Sequence, residues 1–319
     1  MRLRTTALLA AATLAVTTGT VRTAAEERFD RIVVFGASLS DSGNAFALRG
    51  EVNTPPNYLL DPFLVPSAPY ARGAHHFSNG ATWIEQFAQS RGLAGSTRPA
   101  FLQPDSAASN YAVGAARAYE DGVNVNLSAQ VDAFLQQSGG VASADALYTI
   151  EMGGNDIRDA LVAYASGDPA KAALILQQAN IAIANNIGAL YAAGARTFLV
   201  WRAPDIGLTP AIRTLGQGAM TLGNGLTQGF NAALDSVVAQ LSQYPGIRIV
   251  RLDAYRLLND LVAQQDAFGL TNVTTACVTP SVAPFKCESP DEFLFWDGIH
   301  PSKAVHAIIA GEAASSLAH

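Results

Sequence analysis

Four short stretches of the chain carry groups able to activate and stabilise a reacting oxygen. Gly36-Ala37-Ser38-Leu39-Ser40-Asp41-Ser42-Gly43-Asn44 follows the apolar run Arg31 to Phe35. A serine in a tight turn after a strand can present its hydroxyl at the sheet edge, with nearby N–H groups aimed at a developing oxyanion. Asn110 to Ala116 (NYAVGAA) puts Gly114 where the backbone can come close to a ligand, so its N–H is a second candidate donor. Gly153-Gly154-Asn155-Asp156 offers the Asn155 amide as a third. Asp297-Gly298-Ile299-His300 sets a carboxylate three residues before an imidazole across a turn. That spacing lets the carboxylate reach one ring nitrogen and leaves the other free to act as a base. Together these groups suit attack by a serine on an ester carbonyl.

Each stretch taken alone also has a plainer account. The first is a Ser/Asp/Gly turn, and it is not the G-x-S-x-G elbow, because Ser40 stands in the place of the second glycine. Gly114 and its small neighbours can serve tight packing, Asn155 can cap a helix starting near Ile157, and D-x-x-H is often a local hydrogen bond. His75-His76 has no carboxylate or thiol at ligand spacing nearby, so no metal is expected there. Asp41 and Asp156 are expected to hold their own turns, and His306 to be packing or surface. There is no P-loop, dinucleotide fingerprint or HExxH, and no cofactor is expected.

The elements that must position these groups follow from periodicity. Residues 31–35, 110–113, 146–151, 196–201 and 247–252 read as strands, short and apolar enough to be buried. Between them, helical spacing marks residues 78–92, with Trp83, Ile84 and Phe87 on one face, and residues 169–193, opened by Asp168-Pro169 and closed by Gly194. Further helices are expected over 219–243, 254–268 and 302–317. Strands alternating with amphipathic helices predict an α/β domain with a parallel sheet covered on both faces. In such sheets ligands gather beyond the carboxyl ends of the strands, where the Ser38 and Asn155 stretches fall. Residues 50–75, with five prolines, form a long loop. Its Tyr58, Leu59, Leu60, Phe63, Leu64 and Tyr70 could wall an acyl chain or pin the loop to the body.

The 319 residues carry 20 Lys plus Arg against 26 Asp plus Glu, a net charge of −6, which argues against nucleic acid as a partner. Arg2 and Arg4, the apolar run Ala7 to Val16 and the small polar residues up to Ala25 have the layout of a secretory signal peptide. Cleavage after Ala25 would remove three arginines and no acid, moving the charge to −9 and leaving residues 26–319 as the working domain, extracellular or periplasmic. In that oxidising setting Cys277 and Cys287, the chain's two cysteines, are expected to form a disulfide that stiffens the approach to Asp297 and His300.

In order along the chain, GASLSDSGN, NYAVGAA, GGND and DGIH resemble the ordered blocks of the SGNH, or GDSL, hydrolases. HFSNGATWIEQFA at 76–88 is similar to the segment that family places between its first two blocks. The resemblance covers nearly everything after residue 25. It is closest to the secreted, long-loop branch of lipases, phospholipases, lipid acyltransferases and haemolysin-type enzymes. It implies a three-layer α/β/α sandwich, flavodoxin-like, with a mainly parallel central sheet in a single domain with long loops. It further implies Ser38 as nucleophile, His300 as general base and Asp297 as the residue orienting it. The Ser38 N–H, the Gly114 N–H and the Asn155 side chain would form the oxyanion hole.

There is one departure: the signature Asp before the serine is Ala37 here, a change expected to alter the turn rather than the chemistry. The implied activity is hydrolysis of carboxylic esters, lipid or phospholipid esters included, by a monomer that touches a lipid surface transiently. Three alternatives stay open: acyl transfer to an alcohol such as a sterol, carbohydrate O-deacetylation, and a secreted binding relative without turnover. Against the last stand Ser38, Asn155, Asp297 and His300 together, since a binder has no need of all four.

Overall fold

Residues 32–35 are all fully buried, and successive side chains serve opposite faces. Val33 and Phe35 join one hydrophobic cluster, Ile32 and Val34 the other. Such strands need helices on both sides. In the computed structural model, which describes residues 28–102 and 107–318, the sheet is built from β1 (Arg31–Gly36), β2 (Ala146–Glu151), β3 (Thr197–Arg202) and β4 (Arg248–Asp253). All three pairings are parallel, in the order β1-β2-β3-β4. The expected export segment, residues 1–25, lies outside the described residues.

One face is covered by α3 (Leu127–Gln137), α4 (Gly154–Ala165), α5 (Pro169–Ala193) and α7 (Gln217–Leu241), whose apolar residues meet Tyr148, Ile150, Phe198 and Val200. The other is covered by α2 (Trp83–Ser90), α8 (Ala254–Ala263) and α9 (Lys303–Leu317), packed on Leu147, Leu199, Trp201 and Leu252. The ends of these helices follow their sequence signals. The Asp168 carboxylate accepts the Lys171 N–H at 2.8 Å with Pro169 in the first turn, and Gly194 closes α5. Two short helices, α1 (Asn44–Arg49) and α6 (Pro210–Arg213), complete the helical set named here.

Three expectations need correction. Residues 110–113 are not a regular strand, although they run beside the free edge of β1: Val34 N–H donates to Ser109 O at 2.9 Å, and Tyr111 N–H to Val34 O at 2.8 Å. Val113 N–H continues this ladder to Gly36 O at 3.1 Å, and side chains take the groups that face away from β1. Asn44 Nδ2 donates to the carbonyls of Asn110 and Ala112, and Asn110 Oδ1 accepts the Ala112 N–H. The helix expected over 254–268 breaks after Ala263 into a 3₁₀ turn, and that expected to open at 78–80 begins at Trp83. Beyond the expected elements, β5 (Asn272–Ala276) and β6 (Phe293–Phe295) form a small parallel pair, in a segment to which the Cys277–Cys287 disulfide and Trp296 give a core of its own.

With residues 109–113 on one side of β1 and β2 on the other, the chain leaves β1 first toward one edge and later toward the other. The carboxyl end of β1 is therefore a switch point, where an open α/β sheet forms its ligand crevice. Ser38 stands there.

Candidate active site

The turn after β1 is held from several directions. Asp41 is fully buried and accepts the N–H groups of Gly43, Asn44 and Ala45 at 2.8, 2.7 and 3.1 Å. Burial pushes its carboxyl up even so, against the pull of those bonds. Ser40 Oγ accepts from Trp83 Nε1 at 3.0 Å, and Asn110 Nδ2 donates to Ser40 O at 2.8 Å. Ser38 is thus presented by a fixed turn.

Across the crevice, Asp297 and His300 come from the segment between β6 and α9. Asp297 Oδ1 accepts the N–H groups of Ile299 and His300 at 2.9 and 2.7 Å, folding the D-x-x-H turn on itself. Its other oxygen meets His300 Nδ1 at 2.8 Å, and His300 Nε2 meets Ser38 Oγ at 2.8 Å. A carboxylate only accepts, so Nδ1 carries the proton and Nε2 is free to take one from Ser38. Gly298 is required between them: a Cβ there would stand 1.9 Å from Phe63 O.

A fourth member is absent from the sequence reading of the site. The Tyr70 hydroxyl donates to Asp297 Oδ2 at 2.8 Å across 227 positions of chain. Burial and the Asp297 charge push that hydroxyl well above its ordinary value, which keeps it a donor. Tyr70 belongs to the Pro-rich loop, and this decides between the two accounts of that loop. Tyr58, Leu60, Leu64 and Tyr70 pack with Trp296 and the disulfide, pinning the loop to the body, while Leu59 stays exposed.

The candidate oxyanion donors fare differently from one another. The Ser38 N–H has no hydrogen-bond partner among the described residues. Asn155, second residue of α4, spends one amide hydrogen on Ala116 O at 2.8 Å and lines the cavity over Ser38 with the remainder. The Gly114 N–H differs from expectation: it donates to the buried Asp41 Oδ2 at 2.7 Å, and Gly114 is not among the residues lining the cavity over Ser38. Gly114 keeps a structural use, since a Cβ there would sit 2.2 Å from the Phe77 ring, which packs 5.4 Å from His300.

The remaining polar candidates are structural. His76 pairs with Glu85 at 2.9 Å, a contact that outweighs burial and raises its pKa; His75 stacks on Phe46. His306 is fully buried and driven down to about 3 by desolvation, and its Nδ1 accepts the Trp83 N–H. Asp156 holds its own backbone N–H and also accepts the N–H groups of Ala118 and Tyr119, tying α4 to that segment.

Glu151, last residue of β2, also lines the cavity, and its Oε2 accepts the Ala37 N–H at 3.0 Å. A carboxyl from the neighbouring strand thus supports the turn at the point where Ala37 has none. Burial raises it from an ordinary 4.5 to about 8. The group therefore favours the fold below pH 4.5, and this contribution drains away as pH rises through about 8. We expect Glu151→Gln, which cannot ionise, to gain melting temperature relative to wild type from pH 5 to pH 9. A parallel pair of stability curves would refute the assignment.

The cavity over Ser38 is bounded by Leu39, Ile206, Ala211, Ile212 and Ile299, apolar except near Asn155, Arg158 and Glu151. A second, almost wholly apolar cavity shares Leu39, Pro204, Thr209 and Ile299 with it and runs between Trp201, Leu258 and Ile309 on the α8/α9 face.

The site thus holds a serine hydroxyl with an imidazole beside it, a carboxylate behind the imidazole, and the Ser38 N–H and part of the Asn155 amide left over for a ligand. By comparison with known proteins, the chain belongs to the GDSL-like lipase/acylhydrolase family, whose model matches residues 32–313. Its members are carboxylic ester hydrolases. Two Arabidopsis thaliana proteins illustrate the likeness. GDSL esterase/lipase APG is 28% identical over 88% of this chain and 88% of its own. GDSL esterase/lipase At1g71691 is 28% identical over 88% of this chain and 80% of its own. An extracellular lipase from Streptomyces rimosus aligns over 89% of this chain and 99% of its own at 14% identity and a TM-score of 0.38, and the family assignment does not rest on it.

Proposed function

We propose that the protein is an exported serine ester hydrolase whose acyl group enters the apolar cavity between the sheet and α8/α9. The observation carrying this reading is the pair of 2.8 Å hydrogen bonds linking Ser38, His300 and Asp297, with Ser38 and His300 lining the cavity that shares Leu39, Pro204, Thr209 and Ile299 with the apolar one. His300 Nε2 takes the proton as Ser38 Oγ bonds to the carbonyl carbon, and Asp297 steadies the imidazolium. The Ser38 N–H and the Asn155 amide face the oxyanion, each such donor typically contributing about 3–4 kcal/mol in the transition state. His300 then protonates the departing alkoxide, and water resolves the acyl-enzyme by the same steps in reverse. Export is supported by the N-terminal layout and by the Cys277–Cys287 disulfide.

A p-nitrophenyl ester series tests the acyl assignment. Each methylene buried in an apolar cavity is worth about 0.8 kcal/mol, or about fourfold in kcat/KM. The rate should climb from acetate until the second cavity is full. A maximum at acetate would overturn the acyl assignment, and no hydrolysis at any length would overturn the enzyme.

A further inference from the structure

Arg158 lines the cavity over Ser38, one helical turn beyond Asn155 on α4. Residues three apart share a helix face, so its guanidinium flanks the same space as the Asn155 amide. Arg117, Arg202, Arg251 and Arg256 each lie against a carboxylate. Arg158 makes no hydrogen bond or ion pair with any described residue. The acids whose charge acts on it, Asp159 and Asp61, are already engaged. Asp159 is held by Arg117 at 2.8 Å and by the Tyr119 hydroxyl at 3.0 Å, and Asp61 accepts the Phe63 and Val65 N–H groups, both at 2.9 Å. Desolvation lowers the Arg158 pKa, yet a guanidinium does not give up its proton in a protein. A permanent charge therefore sits among apolar walls with its donors open, the state that a bidentate oxyanion completes.

Position decides which part of the substrate that oxyanion belongs to. α4 packs on one face of the sheet, whereas the second apolar cavity opens toward α8 and α9 on the other. An ester lying over Ser38 with its acyl chain in that cavity turns its alcohol part toward Arg158. We propose that Arg158 binds a phosphate group on the alcohol part of the substrate, so that the preferred ester is a phosphorylated glyceride rather than a neutral one. This deepens the serine-hydrolase reading and rests on it.

A matched pair of soluble substrates, dibutyrylglycerol and dibutyrylglycerol phosphate, isolates the charge. Losing a charged hydrogen-bond partner should lower the phosphate-to-neutral ratio of kcat/KM by about 10- to 100-fold in Arg158→Gln, with Arg158→Lys recovering part of it. Independently of turnover, inorganic phosphate, against chloride at equal ionic strength, should raise the melting temperature of wild type and not of Arg158→Gln. An unchanged ratio in Arg158→Gln overturns the proposal. So does a phosphate shift with no change in ratio, which would mark an adventitious anion. If wild type hydrolyses neither ester while phosphate still stabilises it through Arg158, the hydrolase reading fails and the anion site stands.

Discussion

Ser38→Ala should lower ester hydrolysis by about 10⁴- to 10⁶-fold and leave the fold intact. In the proposed mechanism the Oγ atom is the one that bonds to the acyl carbon, and its serine neighbour at position 40 is in no position to replace it. Ser40 is fully buried, and its hydroxyl is occupied by Trp83 Nε1 at 3.0 Å. Among the described residues Ser38 Oγ makes one hydrogen bond, to His300, so its loss removes little from the turn, which Asp41, Asn110 and Glu151 continue to hold. What remains is the modest rate that oriented donors supply without a nucleophile. Steady-state kinetics with circular dichroism on the same preparation is the check; a folded Ser38→Ala protein with full activity would remove the mechanism.

For Asp297→Asn we expect a loss of about 10⁴-fold near neutral pH, together with a lower melting temperature. Four donors converge on this fully buried carboxylate: two backbone N–H groups on one oxygen, His300 Nδ1 and the Tyr70 hydroxyl on the other. An amide has one acceptor and one donor end. With its NH₂ toward the backbone, it faces two N–H groups that cannot turn away. With its NH₂ toward His300, the ring must move its proton to Nε2, and Ser38 then has no base. Either placement damages fold or catalysis by a nameable route. Near wild-type activity in Asp297→Asn would mean that His300 is oriented by something else.

The order of the blocks made much of this legible in the sequence. Ser38, Asp297 and His300 meet as their local spacing and strand-end positions implied, because a turn after a strand and a three-residue carboxylate–imidazole spacing are short-range facts. What escaped depends on long-range approach. Nothing about Tyr70 in a Pro-rich loop announces a partner 227 positions away. The Gly114 amide could not be known to face Asp41 until both loops were in place. Glu151 had a readable signal, a lone acid ending the apolar run ALYTI, and Arg158 a weaker one in its spacing from Asn155. The segment expected as a strand at 110–113 pairs with β1 through alternate groups only, because the side chains of Asn44 and Asn110 take the carbonyls of Asn110 and Ala112 and the Ala112 N–H on its other side.

The bond between Ser38 and His300 spans 262 positions, nearly the full length of the family's matched region. Contacts of that separation form late, after the intervening chain has been ordered. During synthesis, then, the serine leaves the ribosome long before the imidazole it meets in the folded chain. The molecule has a built-in delay: on the proposed mechanism Ser38 stays unarmed until α9 has docked against α2 and brought Asp297 and His300 to the sheet edge.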